Sequence, residues 1–108
     1  MDLSGRWEFS FDRNLNGQVV PTSPPYELIL VALDDGALVG RFVFPGEDRS
    51  KFRGELSTTS QGTLLVLRQV NPNGYQAVYS GTVEGEARVA GVFTDVGGHG
   101  DFRMKKIR

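Results

Sequence analysis

Apolar and polar residues alternate along most of this chain. In the first such segment Trp7, Phe9 and Phe11 are separated by Glu8 and Ser10, which places the aromatic side chains on one face. This period of two is typical of a β-strand with one buried face and one hydrated face. Glycine, proline, asparagine and aspartate interrupt the pattern at intervals of about 8 to 12 residues, and no segment has a convincing helical period. Eight strands are predicted: Gly5–Asp12, Tyr26–Leu33, Leu38–Phe44, Lys51–Ser57, Thr63–Val70, Gln76–Val83, Ala87–Thr94 and Asp101–Ile107.

The connections between the predicted strands alternate between short and long. The short ones contain a glycine suited to a tight turn and are centred on Asp34-Asp35-Gly36, Thr59-Ser60-Gln61-Gly62 and Glu84-Gly85-Glu86. The long ones are Arg13–Pro25, Pro45–Ser50, Asn71–Gly74 and Asp95–Gly100. Successive connections of an antiparallel meander emerge at opposite ends, so we expect the long ones at a single end, where a functional site would lie.

The strand order predicts an all-β fold, an eight-stranded antiparallel up-and-down β-barrel (meander) that spans residues 1–108 as a single domain. A closed barrel removes the edge strands that an open sheet would expose to pairing. A sandwich of two four-stranded sheets accounts for the strand count equally well. The barrel is preferred because the chain lacks the long crossover connections of a Greek key.

The alternation also predicts which side chains enter the barrel. The inward sets are rich in aromatic residues and comprise Trp7, Phe9, Phe11, Leu38, Gly40, Phe42, Phe44, Phe52, Gly54, Leu56, Tyr79, Gly81, Val83, Val89, Gly91, Phe93, Phe102 and Met104. An eight-stranded barrel is wide enough either to be filled by side chains or to hold one small ligand. The seven phenylalanines and one tryptophan favour a filled core, whereas the inward glycines favour free space or sharp bending. The sequence leaves both interiors open.

Two predicted strands, the second and the fifth, break the alternation. Leu28–Leu33 and Leu64–Leu67 are apolar on both faces, so their outer faces also require burial. The long connection Arg13–Pro25 could fold over them, or they could form a subunit interface, since contiguous exposed apolar patches usually mark contacts. We expect a homo-oligomer assembled through these two strands.

Charge and composition exclude several classes of function. The 108 residues carry 12 Lys+Arg and 13 Asp+Glu, a net charge of −1 that provides no basic field for nucleic acid. The chain has no cysteine, which excludes disulfides, thiolate nucleophiles and cysteine-bound metals. The longest apolar run, Leu28–Leu33, is far shorter than the ~20 residues that cross a bilayer, and the N-terminal residues do not form a secretory signal. We expect a cytoplasmic protein with no nucleic-acid or membrane partner and no cofactor.

The first and last predicted strands carry a distinctive set of residues. Gly5-Arg6-Trp7 opens the first strand, and Arg103, Lys105 and Lys106 lie on the last. This arrangement resembles the Gly-x-Trp signature of the calycins, the superfamily that contains the lipocalins and the avidins. The resemblance implies that Trp7 closes one end of the barrel and that a basic side chain of the final strand covers it.

Four further segments resemble the avidin and streptavidin type: Asp35–Phe42, Tyr79–Gly81, Gly85–Val89 and Gly98–Phe102. The biotin site of that type does not carry over. Its pocket is walled by several tryptophans, whereas this chain has only Trp7 and presents Phe93 where another would stand. The strand-six hydroxyl ligands of that site would fall on Tyr75 and Ala77, and its aspartate would fall on Gly100. Asn14 could take the place of a first-strand polar ligand, but biotin binding is disfavoured.

The sequence offers few groups for catalysis. His99 lies in a glycine-rich segment between Asp95 and Asp101, where a general base or a metal site is conceivable but a solvated turn residue is commoner. Glu47-Asp48-Arg49 could orient a polar ligand, although such charges more often form a solvated loop tip. The sequence contains no hydrolase, nucleotide-binding or metalloprotease motif.

These observations favour a non-enzymatic barrel that binds a small, partly apolar molecule at the end with the long connections. The expected ligand-binding residues are Asn14, Tyr26, Phe44, Asn73, Tyr75, His99 and Asp101. The alternative is a ligand-free oligomeric or protein-partner-binding module with a filled core. An isomerase or cyclase acting inside the barrel would have only His99 and carboxylates for its chemistry.

Overall fold

The computed structural model describes residues 2–22 and 24–107 as an all-β chain. Its strands are β1 (Gly5–Leu15), β2 (Gln18–Pro21), β3 (Tyr26–Ala32), β4 (Leu38–Phe44), β5 (Lys51–Thr59), β6 (Gly62–Val70), β7 (Gln76–Glu84), β8 (Arg88–Asp95) and β9 (Gly98–Lys106). They follow the order β2-β1-β3-β4-β5-β6-β7-β8-β9, and β1 also pairs with β9. This last pairing closes β1 and β3–β9 into an eight-stranded antiparallel barrel, which confirms the predicted fold. In the described ranges no helix is long and apolar enough to cross a membrane.

The two ends of the barrel differ as the connection lengths predict. The tight turns after β3, β5 and β7 lie at one end, called here the closed end. The β1–β2 hairpin tip, the segments 45–50 and 71–75, and the turn between β8 and β9 lie at the opposite end, called the loop end. Antiparallel pairing between every neighbouring pair of strands requires this separation.

Two of the predicted long connections are wrong in part. Arg13–Pro25 contains the end of β1 and all of β2, joined by a turn at Asn16 and Gly17, both of which have positive φ. An Asn-Gly pair between two extended segments is a strong signal for such a hairpin. Gly98–Gly100 belongs to β9, so the last connection is reduced to a two-residue turn.

The barrel interior is filled by apolar side chains over most of its length. Phe9 lies at its centre, fully buried, with ring centroids of Phe42, Phe52, Tyr79 and Phe102 at 5.1 to 6.1 Å. Edge-to-face contacts of this kind stabilise an aromatic core beyond the burial of area. The predicted inward set is largely confirmed, and β3 and β6 add Leu28, Leu30, Leu65 and Leu67 to it.

Trp7 occupies the closed end of this interior. Its side chain is fully buried, and its indole N–H donates a 2.9 Å hydrogen bond to the carbonyl oxygen of Leu3. The Nζ atom of Lys106 lies 5.9 Å from the ring centroid, within the range of a cation–π contact. A calycin-like barrel was expected to close in this way, with a basic residue of the last strand over the tryptophan.

Phe44 was expected to point inward, and this prediction is wrong. Phe42 lies opposite Leu28 and Phe44 opposite Glu27, so that Val43 has no partner on β3. The extra residue forms a bulge, which reverses the alternation from that point on. Phe44 therefore shares the outer side with Glu27 and is 47% exposed.

The outer faces of β3 and β6 are not covered by the segment Arg13–Pro25, because β2 lies in the sheet beside the end of β1. Val31 on β3 and Val70 on β6 remain about half exposed. Strands β4 and β5 separate the two faces. The structure therefore presents two apolar outer surfaces rather than one.

Candidate functional site

A small pocket opens at the loop end, above the aromatic core. Its volume is about 160 Å³, and it is called here the mouth pocket. Phe11, Tyr26 and Phe42 form its apolar wall, with the ring centroid of Tyr26 4.8 Å from that of Phe42. Polar side chains from β1, β6, β7 and the loop-end segments complete the lining. A site of this composition can hold a flat group and orient it by hydrogen bonds.

Arg13 lines one side of the mouth pocket and is held in place by an ion pair with Asp95. The guanidinium binds both oxygens of the carboxylate, with 3.1 Å between Nη1 and Oδ1. Tyr75 donates its hydroxyl to Oδ2 at 2.6 Å, and the backbone N–H of Gly97 donates to Oδ1 at 2.9 Å. The Arg13 guanidinium also lies 5.5 Å from the ring centroid of Phe93, so aromatic packing helps to fix its position.

Burial and hydrogen bonding around this pair shift the pKa values of Asp95 and Tyr75. The hydrogen bonds from Arg13, ahead of those from Tyr75 and Gly97, lower the pKa of Asp95 to about 2. Burial, followed by the hydrogen bond to Asp95, raises the pKa of Tyr75 to about 12. Both groups therefore keep one protonation state across the physiological range. The pair serves to position groups and is unsuited to proton transfer near neutral pH.

A hydrogen-bonded chain of polar side chains, which ends at the carboxylate of Asp48, lies opposite this pair. The Tyr79 hydroxyl donates to Gln69 Oε1 at 2.6 Å, and Gln69 Nε2 donates to Ser50 Oγ at 2.8 Å. Asn71 Nδ2 donates both to Ser50 Oγ at 3.0 Å and to Asp48 Oδ1 at 3.1 Å. Burial raises the pKa of Tyr79, which keeps its hydroxyl as a donor. Such a satisfied network rigidifies the wall of a pocket.

Two groups in the mouth pocket retain hydrogen-bonding capacity for a ligand. Arg13 directs two of its N–H groups at Asp95, and a guanidinium has five. Asp48 uses Oδ1 to accept hydrogen bonds from Asn71 and from the backbone of Ser50, while Oδ2 has no partner in the described part of the chain. The pocket therefore presents a free donor and a free acceptor from different elements.

A wider depression of about 440 Å³ adjoins the mouth pocket. The two cavities share Tyr26, Asp48 and Asn71, and the depression extends over the loop segments to Pro45 and Asn73. Small-molecule sites usually enclose about 300 to 1,000 Å³. A ligand of ordinary size would thus place one group in the mouth pocket and the rest in the depression.

Comparisons with protein-family models, with curated proteins and with solved structures gave no match to this chain. The chemistry of the site itself therefore has to carry the functional argument.

The structure brings together some of the expected ligand-binding residues. Tyr26 and Tyr75 line the mouth pocket, and Asn73 lines the adjoining depression. Phe44 lies on the outer side, as described above.

The remaining three expected residues, Asn14, His99 and Asp101, lie at another place. They line a groove of about 380 Å³ on the outer face of β1, β8 and β9. Asn14 is directly opposite His99 across the β1–β9 ladder. At this level of the barrel the inward-facing residues are Arg13 on β1 and Gly100 on β9. A Cβ atom added at Gly100 would lie 2.0 Å from the carbonyl oxygen of Asp12.

Sequence reasoning missed four polar residues that line the mouth pocket: Arg13, Ser50, Gln69 and Asn71. Arg13 continues the alternation of Trp7, Phe9 and Phe11 and could have been assigned inward on that ground. Gln69 likewise follows Leu65 and Leu67 in the buried phase of β6. Among the described residues, no group of three His, Asp or Glu side chains is placed to hold a metal ion.

Proposed function

We propose that this protein is a non-enzymatic binder of a small molecule, held at the loop end by the mouth pocket. The observation that carries the proposal is the pairing of an aromatic wall with a free donor on Arg13 and a free acceptor on Asp48. The specific likeness to avidin-type barrels and the cytoplasmic location remain predictions, supported only by the sequence features given above.

The charges around the mouth pocket favour a particular ligand class. Arg13 and Asp95 neutralise each other, which leaves the carboxylate of Asp48 as the uncompensated charge of the lining. An anionic ligand would be repelled, whereas an uncharged group with one donor and one acceptor matches both free sites. We propose a flat ring that carries an amide-like group, with the ring against Tyr26 and Phe42.

The test compares three small probes by ligand-induced shifts of backbone amide resonances. Benzamide provides both the ring and the amide, acetamide lacks the ring, and benzoate replaces the amide by an anion. We expect benzamide to bind most tightly and to shift resonances of Asn71 and Tyr75. Equal binding of benzoate, or benzamide shifts confined to the groove beside His99, would contradict the proposal.

A matched pair of variants locates the site. Tyr26→Leu removes an aromatic ring from the mouth pocket, while Phe44→Leu removes one from the outer side of the same pair of strands. We expect the first variant to weaken benzamide binding about tenfold, the scale of one lost aromatic contact, and the second to leave it nearly unchanged. The opposite ranking would place the ligand outside the barrel.

We also propose self-association through the outer face of β6, one of the two strands for which an interface was expected. Val66 lies opposite Ser80 on β7, and Ser80 lies opposite Val92 on β8, so this face continues as a row of small and apolar side chains. Val92 is 55% exposed. Sedimentation of the wild type and of Val92→Lys tests this proposed interface. We expect the wild type to form a concentration-dependent dimer and the lysine to abolish it. A wild-type monomer at all concentrations would contradict the proposed self-association.

A further inference from the structure

A second concave surface lies on the outer wall, away from the lumen of the barrel. It is a groove of about 460 Å³ between β3, β4 and β5, called here the wall groove. The ladder between β4 and β5 has only four residue pairs and ends at Arg41 opposite Lys51. Beyond that point β4 continues to Phe44 without a partner on β5, and the segment 45–50 leads back to the start of β5. The groove is the space left by this early end of the ladder.

The floor of the wall groove is apolar. Ile29 and Val31 of β3 and Val39 of β4 supply it from their outer faces. Val31 and Val39 are directly opposite each other, and Ile29 is opposite Arg41. Val31 is 49% exposed, so this apolar surface is open to a ligand. Burying it would contribute favourable free energy of the hydrophobic kind.

The rim of the wall groove is cationic. Arg41 and Lys51 face each other across the ladder, an arrangement of like charges that destabilises a sheet in the absence of a counterion. Arg49, from the segment 45–50, adds a third exposed cation. Within residues 2–22 and 24–107 none of the three lies within ion-pair distance of a carboxylate.

The lining also contains one acidic residue, Asp48, against the three cations, and within the described residues it forms no ion pair with any of them. Asp48 Oδ1 is engaged by the side chain of Asn71 and the backbone N–H of Ser50, both of which belong to the mouth pocket. The next outward-facing residue of β5, Arg53, is directly opposite Arg68 of β6, although Arg53 also forms an exposed ion pair with Asp35 at 3.8 Å. A chain with a net charge of −1 thus concentrates positive charge on one wall.

We propose that the wall groove binds a small anionic amphiphile, a carboxylate with an aliphatic tail. The head group lies between Arg41, Lys51 and Arg49 and provides the missing counterion. The tail lies along Ile29, Val31 and Val39. The volume of the groove matches that of small-molecule sites, and its concave shape suits a single ligand better than the plane of a lipid bilayer. Its preference for anions is opposite to that proposed for the mouth pocket.

Octanoate, acetate and 1-octanol separate the contributions of head and tail. Each is titrated into the full chain while backbone amide shifts of Ile29, Val39 and Lys51 are followed. Octanoate is expected to bind with saturable shifts at these residues, and the other two to bind at least about tenfold more weakly because each lacks one half of the interaction. Equal binding of acetate would leave only a non-specific ion site, and equal binding of 1-octanol would remove the role of the cations; either result overturns the proposal.

A double charge variant and its matched control test the rim. Arg41→Gln with Lys51→Gln removes the facing cations, while Arg88→Gln with Lys105→Gln removes another facing pair on β8 and β9. We expect the first to weaken octanoate binding about tenfold and the second to leave it within about twofold. Octanoate shifts centred on Tyr75 and Asn71, or equal losses in the two double variants, would overturn the proposal. Benzamide binding should survive the rim variant, so the wall groove and the mouth pocket can fail independently.

Discussion

The carboxylate of Asp95 permits a quantitative test of how the loop end is held together. Its side chain is 1% exposed and accepts hydrogen bonds from Arg13, Tyr75 and the backbone of Gly97. These bonds lower its pKa from 3.8 to about 2. A tenfold difference in proton affinity corresponds to about 1.4 kcal/mol, so the ionised carboxylate contributes about 2 kcal/mol to the free energy of unfolding.

The sign of the pH dependence follows from the direction of the shift. Because the pKa of Asp95 is lower in the folded than in the unfolded protein, its contribution is complete above about pH 5 and is lost as the pH falls through about 2. Asp95→Asn keeps the shape of the side chain but removes the charge and leaves Arg13, itself only 23% exposed, without its partner. We expect a loss of about 3 kcal/mol at pH 7.

Urea unfolding, followed by circular dichroism between pH 7 and pH 2, measures both effects. The difference in stability between the wild type and Asp95→Asn should shrink by about 2 kcal/mol over this range, since the wild type alone loses the ionised form. Asp34→Asn, at an exposed turn of the closed end, serves as the control and should stay within about 0.5 kcal/mol of the wild type at pH 7. A difference between wild type and Asp95→Asn that is constant with pH would refute the reasoning.

Four further substitutions, one of them a comparison at an open turn, test the packing of the barrel. Phe9→Ala should cost about 3 to 5 kcal/mol in urea unfolding, because Phe9 is fully buried among aromatic rings; a cost below about 1.5 kcal/mol would mean that the interior is loosely packed. Gly91→Ala should cost about 3 kcal/mol, since the new Cβ would lie 2.0 Å from a carbonyl oxygen of β7. Gly36→Ala, at a residue with φ +87° but with free space around it, should cost about 1 kcal/mol. Thermal unfolding gives the ranking of the two variants, and a reversed order would contradict the prediction. Tyr79→Phe should cost about 1 to 3 kcal/mol by the same assay, because it leaves the buried Gln69 Oε1 without its 2.6 Å donor, and an unchanged stability would mean that water replaces the hydroxyl.

The architecture was readable from the chain because the relevant signals are local. The alternation of Trp7, Phe9 and Phe11 and the turns after β3, β5 and β7 each depend on a few neighbouring residues, and together they fix the meander. The hairpin at Asn16-Gly17 carried an equally local signal. The prediction nevertheless placed these two residues inside the long connection Arg13–Pro25.

The mouth pocket was harder to predict because its contacts join distant parts of the chain. Arg13 and Asp95 are 82 residues apart, and their meeting depends on the register of β1, β8 and β9. The outward position of Phe44 depends on one bulged residue that only the pairing with β3 defines. A shift of one residue moves a side chain to the opposite face, so inward assignments made strand by strand fail where a bulge intervenes.

The mouth pocket and the wall groove share three lining residues, Phe42, Asp48 and Ser50, which therefore form a partition between the two cavities. Any occupant that displaces this partition from one side changes the shape of the cavity on the other. Thermodynamic linkage then requires the effect to be mutual: the factor by which the first ligand alters the affinity of the second equals the factor in the reverse direction. A barrel of this size would in that case couple two chemically different ligands without any movement between domains.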